Sequence, residues 1–404
     1  MNYLLTGAEF NNKGAEAMTL VALKNIYEKD AQASVFLLDS GFYPSFELKA
    51  PLTFIPLPIW NLRILSGRMD AHSFRMKVKD FIKLFIPGKK SYFGTLYKVK
   101  EILSKIDVVI DISGFAFSSK WGDESTIDWL SQIDLLAKNG AKIWLMPQSF
   151  GPFDFNSKKV VEYGKFVLER CECVFAREET GYKLLKDMGL KNIKKSPDSV
   201  LLEKNFNPSV VIKNYNSYIE NIDVLEEHNI ALVPNQRLVD VGGLDRERLL
   251  GFYSAIINKY ADKFHFYLVA HAGEDLKICK KISELFQYSN RVTIIDHVMY
   301  SFNYENFSKK MDFIIASRYH SIIHAYKEGT PAVVLGWADK YKGIVSDVGQ
   351  EEYLIDLNLY DKALSIVDKM AENYSIESEK IKESVKELQN YCCYGFLSEL
   401  DKGK

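Results

Sequence analysis

Residues 314–336 have the sequence Ile314-Ile-Ala-Ser-Arg-Tyr-His-Ser-Ile-Ile-His-Ala-Tyr-Lys-Glu-Gly-Thr-Pro-Ala-Val-Val-Leu-Gly336. The apolar run from Phe313 to Ala316 predicts the end of a buried parallel strand, and a helical stretch then reaches Lys327. Gly329-Thr330-Pro331 ends this helix, and Ala332 to Leu335 predicts a second buried strand. The stretch is therefore a strand–helix–strand unit, which is typical of an α/β fold with a parallel sheet.

A cationic pair, Arg318 and His320, directly follows the first of these strands, with Ser317 beside it. Ligands of open α/β sheets bind at the carboxyl ends of the strands. A helix N-terminus at that edge favours anions, because its backbone N–H groups point outward. The stretch therefore predicts a negatively charged substrate.

The composition is that of an ordinary globular protein. The chain has 404 residues, 47% of them hydrophobic and 26% charged, with a net charge of −1, so nothing points to nucleic acid. Its five cysteines lack metal-ligand spacing, and we expect them to be reduced thiols of a cytoplasmic protein. The N-terminus predicts no signal peptide, and no apolar run reaches the roughly 20 residues of a membrane span.

The strand–helix rhythm occurs twice along the chain, and it predicts two similar α/β domains. We expect a Rossmann-like domain at 1–205, a linker at 206–229, a second Rossmann-like domain at 230–360 and closing helices at 361–404. The closing helices should pack back toward the first domain. Two such domains facing each other across a cleft form a GT-B-like architecture.

Polar residues follow the predicted strands of both domains. In the first domain, Asn12 lies in the loop after the first strand, where an Asx turn is the alternative to ligand binding. The other exits of both domains carry Ser113, Gln148, Ser149, Arg177, Arg237 and His271, and Lys340 or Lys342 follows a later strand of the second. Arg177 is open to two interpretations, anion binding or an ion pair with Glu178 or Asp198.

An insertion at 60–100 interrupts the rhythm of the first domain. Residues 63–100 hold ten Lys or Arg against two Asp, and apolar residues within 74–85 recur at helical spacing. This pattern predicts a basic amphipathic helix that ends at Pro87-Gly88. One interpretation is peripheral contact through 72–86 with anionic lipid at the inner face of the cell membrane. The alternative is a surface helix whose apolar side packs on the core.

Several motifs together carry a resemblance to a known family. They are Asn11-Asn-Lys-Gly-Ala-Glu-Ala17, Met146-Pro-Gln-Ser-Phe-Gly-Pro152, Phe175-Ala-Arg-Glu-Glu-Thr180, Pro197-Asp-Ser199, His271 with Asp275, and Ser317-Arg-Tyr-His320 with Gly329-Thr-Pro331. In this order and spacing the sequence resembles the polysaccharide pyruvyl transferase family. One departure is Ile112-Ser-Gly-Phe-Ala-Phe117, which stands where the family commonly has a glycine-rich turn.

The resemblance implies that phosphoenolpyruvate is the donor, bound by the second domain, and that a pair of glycan hydroxyls is the acceptor, on the side of the first. The product is a pyruvate ketal on a sugar of a surface polysaccharide or of its lipid-linked precursor. The family's Arg-x-His donor motif falls on Arg318 and His320. A further arginine, Arg177 or else Arg237, is implied for the donor's carboxylate or phosphate. No cofactor beyond this co-substrate is expected.

The residue chemistry is consistent with that implication. Arginine binds carboxylate and phosphate bidentately, and a histidine with a pKa near neutrality suits a general acid that protonates the donor's methylene carbon. His324 lies one turn after His320. A metal site would need a third ligand, so we interpret His324 as packed and expect no metal.

Two other functions stay open. A GT-B glycosyltransferase using a nucleotide sugar would need an acidic ribose contact, which Glu328 or Asp339 could supply. A non-catalytic glycan-binding scaffold fits less well, because a cationic pair at a strand exit is costly without a charged ligand.

Overall fold

The computed structural model of the chain describes residues 1–69, 71–83, 92–204, 206–224, 228–336 and 339–400. The strands are Asn2–Thr6 (β1), Ser34–Leu38 (β2), Leu52–Ile55 (β3), Val108–Asp111 (β4), Lys142–Gln148 (β5), Cys173–Ala176 (β6), Ile193–Lys195 (β7), Asn229–Val233 (β8), His265–Val269 (β9), Val292–Ile295 (β10), Phe313–Ala316 (β11), Ala332–Leu335 (β12) and Leu354–Ile355 (β13).

Helices connect these strands. They are Lys13–Lys29 (α1), Ile59–Leu65 (α2), Ala71–Lys83 (α3), Tyr92–Leu103 (α4), Gly122–Lys138 (α5), Lys158–Leu168 (α6), Glu179–Asp187 (α7), Ser199–Leu202 (α8), Arg237–Asp240 (α9), Arg246–Tyr260 (α10), Leu276–Leu285 (α11), Ser301–Ser308 (α12), Tyr319–Lys327 (α13), Asp339–Asp347 (α14), Tyr360–Leu388 (α15) and Leu397–Leu400 (α16).

The strands form two parallel sheets, in agreement with the predicted pair of Rossmann-like domains. The first has the order β3-β2-β1-β4-β5-β6-β7 and the second the order β10-β9-β8-β11-β12-β13. Each sheet reverses its strand order once, between β1 and β4 in the first and between β8 and β11 in the second. Ligands of such sheets bind at these reversals, and Arg318 follows β11. The domain boundaries expected from the sequence stay predictions.

Three local predictions differ from the structure. Strands β3 and β7 were not predicted, because β3 lies among prolines and β7 contains two lysines, features that edge strands tolerate. The sequence of residues 197–202, Pro-Asp-Ser-Val-Leu-Leu, predicts a short edge segment, but 199–202 form the short helix α8. The reason is Asp198, whose side chain accepts a hydrogen bond from the backbone N–H of Val200 at 2.9 Å and caps that helix.

One apolar core runs through both sheets. It contains buried residues of β1 and α1 together with buried residues of β8, β11 and α13, such as Leu5, Val21, Val233 and Ile322. The polar contact beside it is made by Glu16 of α1, which accepts the backbone N–H of Ser301 at the start of α12 at 2.7 Å. The two domains are therefore joined by packing and by a helix cap that crosses between them.

The segment that connects the two sheets packs against the first domain, and so do the C-terminal helices. Val211 and Ile212 of the predicted linker are buried, and Ile212 forms an isolated antiparallel bridge with Leu48. After α15 the chain returns to the first sheet, where Phe396 stacks on Trp144 with ring centroids 4.3 Å apart. The linker is thus part of the packed structure.

Helix α3 has an exposed apolar stripe. Phe74, Val78 and Ile82 fall at i, i+4 and i+8 and are 58%, 44% and 53% exposed. The alternative of an apolar face packed on the core is therefore wrong for these residues. Arg75 and Lys79, beside the stripe on the helical wheel, are exposed as well. The residues 84–86 of the predicted contact and the predicted stop at 87–88 lie outside the described residues.

The helix that precedes α3 is fixed to the first domain by an ion pair. Arg63 of α2 donates to Asp128 of α5 with Nε 2.9 Å from Oδ1, and Arg68 donates to the same oxygen at 2.7 Å. Among the described helices, none has the length and apolar character needed to cross a membrane.

A substitution at Gly7 tests how tightly the loop after β1 is packed. Gly7 has φ +74°, and a Cβ there would lie 2.4 Å from the Cα of Ser113. We expect Gly7→Ala to lower the free energy of unfolding by about 2–4 kcal/mol, from the left-handed backbone and the clash together. Gly41→Ala is the matched control, because Gly41 has φ +80° and open space around it. Equal losses in urea denaturation would show that no clash occurs at Gly7.

Candidate active site

Arg318 is held in place by two carboxylates. It lies directly before α13 as the residue that caps it, and its Nε and Nη2 donate to Asp275 at 2.8 and 2.7 Å. Nη2 also donates to Glu274 at 2.8 Å. Nη1 makes no hydrogen bond within the part of the chain that the structure describes. Arg318 thus has a fixed orientation and one nitrogen left for a ligand.

Asp275 joins three strand exits on one side chain. Besides Arg318 after β11, its carboxylate accepts the backbone N–H of Gln236 after β8 at 2.9 Å and of Ala272 after β9 at 3.1 Å. It is fully buried, and burial raises its pKa even though Arg318 opposes that change. In the sequence, Asp275 stands out only as part of the motif with His271. The local signal for its role is the pair of acids Glu274-Asp275 shortly after a predicted strand.

His320 lies at the junction of the two domains. Its side chain is 14% exposed, and Nε2 is 3.6 Å from Oδ2 of Asp198 in the first domain, too far for a hydrogen bond. A Cβ at Gly14 would lie 2.2 Å from its Nδ1, so only glycine lets α1 come this close. Burial lowers the pKa of His320 to about 3, against the attraction of Asp198. The imidazole is therefore neutral at pH 7 in the protein alone, whereas a general acid is best served by a pKa near neutrality.

All three side-chain nitrogens of Arg177 donate hydrogen bonds within its own domain. Its Nη1 donates to Asp198 at 2.7 Å, its Nη2 to Ser149 at 2.7 Å and to the Gly114 carbonyl at 3.2 Å, and its Nε to Glu178 at 3.2 Å. It is only 3% exposed. Of the two interpretations, the structure therefore favours the ion pair over direct anion binding.

Arg177 also reaches the second domain through an aromatic ring. Its guanidinium lies 4.2 Å from the ring centroid of Tyr319, the first residue of α13, within the range of a cation–π contact. Asp198 lies on the same junction, because its carboxylate faces both Arg177 and His320. Burial alone would raise the pKa of Asp198, but its electrostatic interactions with His320 and Arg177, together with the N–H of Val200, hold it below its usual value.

Gln148 is turned toward a second buried carboxylate, that of Asp111. This carboxylate accepts from Thr6 Oγ1 at 2.7 Å, Ser113 Oγ at 2.9 Å, Gln148 Nε2 at 3.1 Å and Trp129 Nε1 at 3.3 Å. Both Gln148 and Asp111 are fully buried, and burial raises the pKa of Asp111. Gln148 therefore helps to fix the exits of β1, β4 and β5, and a direct contact with substrate would need it to move.

Lys340 completes the cationic side of the cleft. Its Nζ lies 5.4 Å from the ring centroid of Tyr319. Burial lowers its pKa to about 7, and the positive charges of Arg177, Arg318 and Arg237 act in the same direction. An ammonium with such a pKa is one that a bound anion would keep protonated. Arg237 is half-exposed, with Nε 3.7 Å from Glu274.

Three other predicted residues have mainly local roles. Asn12 caps α1 by accepting the N–H of Gly14 at 3.0 Å, so the Asx-type interpretation is the one found. Ser317 is fully buried, and its hydroxyl faces the Val233 carbonyl at 3.4 Å. His271 is buried with its ring 5.1 Å from that of Tyr304, and burial lowers its pKa well below the usual value.

His324 is a packed residue, as its position in the sequence predicts. Its Nδ1 lies 2.8 Å from Glu305, whose other oxygen accepts from Lys327 at 2.8 Å. Within the described ranges, no group of three or more His, Cys, Asp or Glu side chains is arranged to hold a metal ion.

Comparison with known proteins identifies the family and the fold. The family model described as polysaccharide pyruvyl transferase matches residues 12–339. No curated protein matches the chain. Among solved structures, UDP-GlcNAc 2-epimerase from Methanocaldococcus jannaschii is 14% identical with a TM-score of 0.51, covering 100% of this chain and 99% of that one.

Two further structures show the same fold. UDP-GlcNAc 2-epimerase from Neisseria meningitidis, bound to UDP-GlcNAc, is 13% identical with a TM-score of 0.54, covering 100% of this chain and 99% of that one. MnaA from S. aureus, in a co-structure with UDP, is 14% identical with a TM-score of 0.51, covering 99% and 94%. Identities this low show the fold alone, that of two Rossmann-like domains in the GT-B arrangement. Because the family model spans most of the chain, from the cap of α1 to the start of α14, the protein belongs to the polysaccharide pyruvyl transferase family.

Proposed function

We propose that the protein transfers pyruvate from phosphoenolpyruvate to a pair of sugar hydroxyls, forming a ketal on a surface polysaccharide or its lipid-linked precursor. The observation that carries this proposal is the arrangement of Arg318 and His320 at the strand-order reversal of the second sheet. Arg318 is clamped by Asp275 and Glu274, and His320 faces Asp198 across the domain junction.

The donor's charges would bind mainly to the second domain. Nη1 of Arg318 is the guanidinium nitrogen left for a phosphate or carboxylate oxygen, and Lys340 and Arg237 lie on the same side of the cleft. The N-terminal end of α13 adds backbone N–H groups that favour an anion. Arg177 then acts indirectly, because it holds Asp198 and Tyr319 against His320 and Lys340.

His320 would become the general acid only when the donor is bound. The phosphate and carboxylate of phosphoenolpyruvate would raise its pKa from about 3, since nearby negative charges stabilise imidazolium. Asp198 acts in the same direction. The imidazolium then gives its proton to the methylene carbon, and the two sugar oxygens bond to the adjacent carbon as the C–O bond to phosphate breaks. Of the two hydroxyl protons, one restores His320 and the other leaves with phosphate.

The exposed stripe of α3 supports a peripheral membrane contact as part of this proposal. Phe74, Val78 and Ile82 present apolar surface to solvent, with Arg75 and Lys79 beside them, the pattern of a helix that lies in an anionic lipid surface. An acceptor carried on a lipid at the inner face of the cell membrane would then be presented to the first domain.

Phosphate release from phosphoenolpyruvate, measured with a panel of galactosides, glucosides and N-acetylmannosamine glycosides, tests the reaction, and mass spectrometry identifies the ketal. We expect His320→Ala to lower turnover roughly 100- to 10,000-fold, the usual loss for a general acid, with the circular dichroism spectrum unchanged. His228→Ala is the control, because His228 is a half-exposed histidine outside the site.

Near-normal turnover of His320→Ala would overturn the role given to His320. A thermal-shift comparison separates the proposal from a nucleotide-sugar transferase, since a ligand stabilises the protein that binds it. Stabilisation by UDP or GDP, and none by phosphoenolpyruvate, would favour the nucleotide-sugar enzyme.

The low pKa of His320 predicts an acid sensitivity of the folded state. Below pH about 6.5 the unfolded chain gains a proton on this residue, whereas the folded protein does not until pH about 3. Stability should therefore fall as the pH drops through this window, by about 1.4 kcal/mol per pH unit from this group. We expect His320→Gln to make the slope shallower by that amount between pH 6 and 4, in urea unfolding experiments. Identical slopes for wild type and His320→Gln would show that the imidazole titrates normally.

Membrane contact is tested by co-sedimentation with vesicles of phosphatidylserine and phosphatidylcholine. We expect the triple variant Phe74→Ser, Val78→Ser, Ile82→Ser to bind about tenfold or more weakly, because apolar area is lost from the interface. Wild-type binding should also fall with added salt. The control replaces three scattered exposed residues by serine, Val241, Leu285 and Ile376. Equal binding of both triple variants would reject a role for the α3 stripe.

A further inference from the structure

The loop after β4 carries an exposed tryptophan at the strand-order reversal of the first sheet. β4 ends at Asp111, and the chain passes Gly114 and Phe115 to a short 3-10 turn at Ser119–Trp121, directly before α5. Trp121 is 47% exposed, although its ring is among the largest apolar groups in the chain. Large apolar side chains that are exposed to solvent near the carboxyl ends of parallel strands often mark a binding surface.

The ring of Trp121 is held in one orientation. Its Nε1–H donates to the Phe115 carbonyl at 2.7 Å, and the rings of Trp121 and Phe115 pack edge to face with centroids 5.7 Å apart. The turn itself is tied to the β5 exit loop, because Ser119 donates through both its N–H and its hydroxyl to the Pro152 carbonyl at 2.9 and 3.0 Å. Trp121 thus offers a fixed apolar face whose polar atom is already satisfied.

This loop adjoins the reaction centre through its backbone. The carbonyl of Gly114, one residue before Phe115, accepts from Nη2 of Arg177 at 3.2 Å and from the N–H of Ser149 at 2.9 Å. Arg177 in turn contacts Asp198, which faces His320. Trp121 therefore belongs to a first-domain loop that is linked through Gly114, Arg177 and Asp198 to His320.

The surroundings of Trp121 differ from the cationic side of the cleft. Asp123 and Glu124 follow Trp121 in the first turn of α5, where Asp123 accepts the backbone N–H groups of Asn156 and Ser157 and Glu124 pairs with Arg63 at 2.6 Å. A neutral sugar has the complementary chemistry. One face of a pyranose ring presents C–H groups that pack on an aromatic face, and its hydroxyls remain at the edge, where polar groups and water can bind them.

We propose that Trp121, braced by Phe115, is the platform on which a pyranose ring of the acceptor stacks. The identification of the bound sugar as the acceptor rests on the proposed function. The stacking itself does not, since sugar binding can be measured without turnover. The exposed position of Trp121 means that its replacement should leave the fold intact, and melting temperatures of all variants are compared first.

Saturation-transfer NMR with methyl glycosides of galactose, glucose and N-acetylmannosamine measures binding, and phosphate release measures turnover. We expect Trp121→Ala to raise the KM for the acceptor about tenfold, with the KM for phosphoenolpyruvate unchanged. Trp121→Phe should keep most of the affinity, because a flat ring remains. Tyr288→Ala, at a tyrosine that is 95% exposed on the second domain, is the control.

The outcomes separate this inference from the proposed reaction. Sugar contacts that vanish in Trp121→Ala, without any pyruvyl transfer by the wild type, would support the platform and reject the reaction. Pyruvyl transfer with the same acceptor KM in Trp121→Ala would reject the platform and keep the reaction. Failure of every sugar in the panel to contact the wild-type protein would also count against the platform.

Discussion

The site depends on the contacts that the buried carboxylate of Asp198 makes with both domains. It is fully buried, it forms an ion pair with Arg177 in its own domain, and it faces His320 of the other domain. A buried charge is stable only when it is paired, so Asp198 fixes Arg177, and Arg177 fixes the ring of Tyr319. The start of α13, where Arg318 and His320 lie, is thereby positioned from the opposite sheet.

Each sheet also has its own buried carboxylate at its strand exits. Asp111 accepts hydrogen bonds from side chains on β1 and β5 and after β4, and Asp275 accepts from groups after β8, β9 and β11. Burial of these acids is costly, and several hydrogen bonds offset that cost. As a result, these buried carboxylates fix the conformation of the loops around the cleft without contacting a ligand themselves. This arrangement explains why Gln148, a polar residue at the end of β5, is buried.

The sequence predicts the layout of the fold, because that layout depends on local patterns, and it places Arg318 and His320 after a predicted strand, where the structure has β11. Buried parallel strands are continuous apolar runs, and a charged residue directly after such a run marks the ligand edge, as at Arg318. The sequence does not predict which polar side chains turn inward. Arg177 and Arg318 both follow a strand. All three side-chain nitrogens of Arg177 donate hydrogen bonds within its own domain, whereas Nη1 of Arg318 donates none within the described residues. That difference arises from Asp198, Ser149 and Asp275, which are distant in sequence, and no local pattern reports it. The edge strands β3 and β7 were missed because their composition is polar or proline-flanked.

Gly14 and Glu16, two residues apart on α1, connect the first domain to two helices of the second. Gly14 leaves room for His320, and Glu16 caps α12 through Ser301. Enzymes built from two Rossmann-like halves invite the exchange of one half for that of a relative by recombination. Here such a hybrid would inherit His320 from one parent and the glycine that accommodates its ring from the other. The first turn of α1 would therefore have to travel together with the second half of the chain, although 285 residues separate Glu16 from Ser301.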